Sequence, residues 1–134
     1  LLLDILKAVL PIIYVKLNYP EFIYICSLSV FLGHVFPIWL KFKGGKGVAT
    51  YVGMLIILNY FLGIVFGIVW VITYLISKYS SLGSILGSLS VPIFIFFYSN
   101  DNIMFYFIMF ILIFYTHREN VKRLINKEET KTKI

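Results

Sequence analysis

Residues 61–77 read "FLGIVFGIVWVITYLIS", seventeen positions without a charge. The run shows no period-2 alternation. In lipid a backbone must satisfy its own hydrogen bonds, and a helix does so within one segment. Working outward, similar runs occupy 3–17, 21–40, 48–59, 84–99 and 102–117, separated by polar or turn-prone stretches such as "NYPE", "SKYSSLGS" and "SND". A hydrocarbon core of roughly 30 Å needs about 20 apolar helical residues. The pattern predicts six candidate helices, of which 48–59 is short and expected to span only partly. The expected fold class is all-α, a polytopic transmembrane bundle of about six helices. It forms a single membrane-embedded domain over 1–134, with no soluble domain and a polar tail over 118–134.

Composition fixes the solvent. The mean hydropathy is +0.94 and only 13% of residues are charged, against about 25% in soluble domains. A net charge of +6 raises the question of nucleic acid, but lysines lying between spanning stretches are a topology signal, and no nucleic-acid partner is expected. The single cysteine, Cys26, excludes an intramolecular disulfide and reads as packing. Asp4 and Lys7 interrupt the first apolar stretch, which begins at Leu1 rather than a methionine. This argues against a signal peptide and suggests a chain whose beginning lies upstream.

Alternating helices put Lys7, Lys41, Lys43, Lys46, Lys78, Arg118, Lys122, Arg123, Lys127, Lys131 and Lys133 on one side, eleven of twelve basic residues. Lys16 alone falls on the other, with Glu21 and Asp101. The positive-inside rule assigns the basic side, including the 118–134 tail, to the cytoplasm.

On that side, "FKGGKGVAT" at 42–50 places three glycines and two lysines together. As a turn or an orientation signal the loop needs no chemistry. Gly44, Gly45 and Gly47 nevertheless permit backbone conformations in which successive N–H groups face an anion, Lys43 and Lys46 add charge, and a helix starting near Val48 aims its positive end there. The pattern is not a nucleotide P-loop, since Leu40 and Gly47 stand where glycine and Ser or Thr belong. It suits phosphate.

His34, in "GHVFP", and His117, in "THREN", flank this side. Each has a structural alternative, a hydrogen bond within the helices for His34 and a helix cap for His117. An ionisable residue in a span is a functional candidate, and Pro37 is expected to bend the chain toward the loop. His117, Asn120 and Arg123 are spaced i, i+3, i+6 and share one face if the helix continues. Ser81 and Ser84 add hydroxyls, or serve as N-caps. The histidines lack metal-ligand spacing, so no metal is expected. No H-x-x-x-x-D pair exists, because Trp39 and Lys122 stand five residues after the histidines.

These residues carry a resemblance. "GHVFPIWLKFKGGKGVAT" (33–50) is similar to the second signature motif of the bacterial acyl-phosphate-dependent glycerol-3-phosphate acyltransferases, which are small multi-span membrane enzymes. "LDILKA" (3–8) resembles their L-D-x-x-K-G, "KYSSLGSI" (78–85) their serine-bearing loop, and "HRENVKRL" (117–124) their final motif. The resemblance covers the chain in order. Ala8 and Lys127 stand where the family has glycine. The family's first span and first signature loop, with its serine, glycines and arginine, are absent from this sequence, which points to an N-terminally truncated member.

The resemblance implies transfer of a fatty acyl group from acyl phosphate to the 1-hydroxyl of glycerol 3-phosphate. The products are lysophosphatidic acid and phosphate, in the first step of phospholipid synthesis at the bacterial inner membrane, with membrane lipid as surroundings and no cofactor. It implies substrate contacts from Lys7, His34, Lys43, Gly44, Gly45, Lys46, Gly47, Ser81, Ser84 and Arg123, with His117 and Asn120 catalytic. The competing expectation is an inactive fragment, or a non-enzymatic membrane protein that binds a lipid phosphate.

Overall fold

The structure is a computed structural model that describes residues 2–42 and 44–131. Among these residues are seven α-helices and no strand. They are α1 (Leu2–Asn18), α2 (Ile23–Val35), α3 (Val48–Leu58), α4 (Tyr60–Ser77), α5 (Ser80–Tyr98), α6 (Ile103–Thr116) and α7 (Arg118–Ile125). Short 3-10 turns flank α2 at Pro20–Phe22 and Ile38–Leu40. Three stretches are long and apolar enough to cross a bilayer: Pro20–Leu40, Tyr60–Ser77 and Ser80–Tyr98. The α3 helix, at 11 residues, is about 16 Å long and cannot cross, as its sequence implied. On α4, Ile64, Ile68, Ile72 and Ile76 are all exposed, an apolar row at i, i+4 spacing along one side of the helix.

The chain divides into two compact units, one ending at Gly63 and the other starting at Ile64. In the first, α1 packs against α2 and α3 around Ala8, Ile12, Phe31, Tyr51, Met54 and Leu55, all wholly buried. Lys16 Nζ donates to the Ile57 carbonyl at the end of α3, where the helix leaves acceptors unpaired. In the second, α5 packs against α6, with Val91, Ile95, Tyr106, Met109 and Ile113 buried.

Helix boundaries have local causes. Pro37, with extended ψ of 126°, stops α2 at Val35, because proline disfavours helical conformation in the residue before it. Gly47 takes φ 82° as the residue preceding α3. Lys78, at φ 65°, ends α4, and α5 starts two residues later. The α5 helix therefore begins four residues before the expected 84. A break at His117, with φ −97° and ψ 7°, separates α6 from α7. The segment read from sequence as a polar tail thus opens with a helix of its own.

Candidate active site

Each unit gathers part of the expected set. In the first, the glycine loop folds back onto the end of α2: Gly44 N–H donates to the Val35 carbonyl over 3.1 Å, and Phe42 N–H to the Pro37 carbonyl over 3.0 Å. Pro37 bends the chain as expected. A Cβ on Gly44 would overlap the carbonyl oxygens of His34 and Val35, and one on Gly45 would collide with His34 Nε2. At Gly47 it would meet the Phe31 ring. The glycines are therefore required for close backbone approach, whatever the loop binds. Gly44, Gly45 and Lys46 are exposed, and α3 opens at Val48 with no side-chain cap, so its positive end faces the loop. Lys43 lies outside the described residues.

Asp4, to which the sequence reading gave no site role, accepts from Lys7 Nζ at 2.9 Å and lies 3.7 Å from His34 Nδ1. Lys7 is thus held by a carboxylate. Motif spacing alone pairs Asp4 with Lys7 at i, i+3 and leaves His34 unconnected.

In the second unit the organiser is Glu129. Its Oε1 accepts from Ser81 Oγ and from Asn120 Nδ2, each at 2.7 Å, and its Oε2 accepts from Arg123 Nε, also at 2.7 Å. Partial burial pushes the Glu129 carboxyl up, but the hydrogen bonds from Asn120, Ser81 and Arg123 and the guanidinium charge outweigh it and hold the group at about 2. It is therefore ionised at physiological pH and accepts only. Asn120 must turn its NH2 toward it. Consequently the amide oxygen, Asn120 Oδ1, faces away, buried and with no hydrogen-bond partner among the described residues. A buried acceptor left in this condition is costly and suits an incoming hydroxyl.

Asn120 and Arg123 do share a face of α7, as their spacing implied. His117, 2% exposed, lies at the α6–α7 break, where Nδ1 bonds the Ile113 carbonyl at 2.8 Å. A carbonyl only accepts, so Nδ1 carries the proton and Nε2 is the acceptor of the neutral ring. His117 thus caps α6, and the same bond fixes its tautomer.

Neither serine is an N-cap; Tyr79 holds that position. Ser81 joins Glu129, whereas Ser84 donates to the Ser80 carbonyl and accepts from Trp70 Nε1, away from that cluster. Glu129 was given no role in the sequence reading, because the turn that returns it is disguised. Glu128 N–H bonds the Arg123 carbonyl and Lys127 N–H the Leu124 carbonyl, with Lys127 at φ 61°. This is a Schellman turn in which lysine occupies the glycine position.

The glycerol-3-phosphate acyltransferase family model matches residues 1–127. The chain belongs to the glycerol-3-phosphate acyltransferase family. It is 72% identical over 134 residues to the glycerol-3-phosphate acyltransferase of Pelagibacter ubique (strain HTCC1062), spanning 70% of that relative. It is 42% identical over 108 residues to that of Rhodopseudomonas palustris (strain TIE-1), where the match involves 80% of this chain and 53% of the relative. Among solved structures it is similar to PlsY, an integral membrane glycerol 3-phosphate acyltransferase. The TM-score is 0.88 and the identity 31%, covering 98% of this chain and 68% of PlsY in its glycerol 3-phosphate form. The lysophosphatidic acid form matches with the same score and identity. Residues marked out by the acyltransferase resemblance are thus found within a fold of that family.

Proposed function

We propose that this chain transfers a fatty acyl group from acyl phosphate to the 1-hydroxyl of glycerol 3-phosphate, giving lysophosphatidic acid and inorganic phosphate. The site faces the cytoplasm at the bacterial inner membrane. The hydroxyl oxygen bonds to the acyl carbonyl carbon, the bond from that carbon to the phosphate oxygen breaks, and the proton leaves with phosphate. Because the donor is already activated, the protein's task is positioning and charge stabilisation. Lys43, Lys46 and the Gly44–Gly47 backbone take phosphate, with Lys7 and His34 as supporting contacts. Ser81 and Arg123 hold substrate phosphate or its surroundings, Arg123 through guanidinium nitrogens other than Nε. Ser84 supports the helix that carries Ser81.

The observation that carries this reading is the buried Asn120 Oδ1, without a hydrogen-bond partner among the described residues, an acceptor for the substrate hydroxyl one helical turn from His117. The chain acts as one membrane-embedded acyltransferase domain with its basic tail in the cytoplasm. The test is formation of lysophosphatidic acid from glycerol 3-phosphate by membranes carrying the full chain, with an acyl phosphate or an acyl thioester as donor. Product is expected from the phosphate donor alone. Folded protein that makes none from it overturns the proposal.

A further inference from the structure

The two ring nitrogens of His34 face different partners. Nδ1 lies 3.7 Å from Asp4 Oδ1, within ion-pair reach, while Nε2 is the atom nearest to where a Gly45 Cβ would stand, with Cε1 next at 3.0 Å. The His34 side chain is only 12% exposed. Its ring therefore forms a spacer between α1 and the glycine loop. Asp4 is held in turn by Lys7 Nζ at 2.9 Å. An ionised carboxylate accepts and cannot donate, so a neutral ring beside it keeps its proton on Nδ1 and turns Nε2, as an acceptor, to the loop.

We propose that Asp4 is a positioning residue for the reaction: acting through His34, it sets the tautomer and orientation of the ring that braces Gly45, and with it the conformation of the loop. Asp4 touches no reacting atom. Its effect depends on acceptor-only chemistry, which an amide of the same shape does not reproduce. Asp4→Asn can present NH2 to Nδ1, stabilise the opposite tautomer, and turn a donor toward Gly45. The functional part of this inference rests on the loop's assignment to phosphate.

The experiment is ring nitrogen NMR of the full chain labelled at histidine. Only His34 and His117 contribute, and His34→Gln identifies the His34 pair by its loss. In the unsubstituted protein at neutral pH, His34 is expected to show a protonated Nδ1 and an unprotonated Nε2. In Asp4→Asn the two signals should move toward exchange or reversal, while those of His117 stay fixed. Unchanged His34 signals overturn the proposal, whatever happens to activity. If Asp4→Asn does not accumulate, Asp4→Glu, which displaces the carboxylate by one methylene, must shift the same signals, and no shift there overturns it equally.

A kinetic arm addresses the loop. Asp4→Asn should raise the KM of a phosphorylated substrate roughly tenfold with kcat nearly unchanged, the pattern of lost uniform binding. Altered His34 signals with KM unchanged for both substrates overturn the control of the loop by Asp4. Inorganic phosphate added to the unsubstituted protein separates the underlying reading: absence of any His34 response removes phosphate from the loop, whereas the comparison without phosphate still decides Asp4.

Discussion

Asn120 Nδ2 and Glu129 Oε1 lie 2.7 Å apart, and this one bond determines which end of the amide meets a ligand. Glu129→Gln lets Asn120 rotate, because a neutral amide can offer either end. Turnover per folded molecule should fall at least roughly tenfold, about 1.4 kcal/mol of transition-state stabilisation. Full activity in Glu129→Gln would show that the amide needs no such control.

His117→Ala and Asn120→Ala should each lower kcat by at least about tenfold with expression near normal. Loss of the helix cap alone lowers stability but leaves turnover per folded molecule unaffected. Acyl-phosphate-dependent product formation, normalised to folded protein in membranes, distinguishes the two. Equal turnover in both variants takes α7 out of the chemistry.

The glycines separate by what a methyl group would strike. At Gly44 it meets backbone carbonyls, which cannot move aside, so Gly44→Ala should reduce folded protein. At Gly45 it meets the His34 ring, a side chain, so Gly45→Ala should fold and raise the KM of a phosphorylated substrate. Adding His34→Ala to Gly45→Ala relieves the collision. A double variant no better than the product of its single effects would show that this collision is not the cause.

Acid should loosen the Glu129 cluster. The folded group titrates at about 2 instead of the ordinary 4.5, so the folded state binds its proton more weakly than the unfolded chain. The stabilisation is full above about 4.5 and is lost as pH falls toward about 2. Thermal unfolding in detergent should show a Tm that declines across this window, and a smaller decline in Glu129→Gln. Identical profiles would assign the acid sensitivity elsewhere.

Lys127→Gly should raise stability by about 1 kcal/mol, since a side chain in the left-handed region is strained by roughly that amount and glycine is not. A lower Tm would mean that the lysine makes a compensating contact.

Much of this was legible because the punctuation is strong. The three glycines lead into α3 at Val48, where the spacing placed it, and Pro37 bends the chain as expected, although α2 stops at Val35 and not at the expected 40. The i, i+3 relation between Asn120 and Arg123 identified their common face before any partner was known. What stayed hidden depends on contacts that no spacing encodes. Ser81 meets Glu129 across 48 positions, and Asp4 meets His34 across two helices. Lysines at 78 and 127 take positive φ where a reader of sequence looks for glycine. The start of α5 was therefore read late, and position 127 was noted without its consequence, the return of Glu129 to Asn120.

The topology expected from charge alternation sets Lys16 alone opposite the other eleven basic residues. Its ammonium is bound to the last turn of α3 through the Ile57 carbonyl, where the helix carries partial negative charge. The one cation that departs from the asymmetry is thus locally compensated once the first unit has folded. On that expectation the charges that would instruct insertion and the charge that finishes a helix end are different charges.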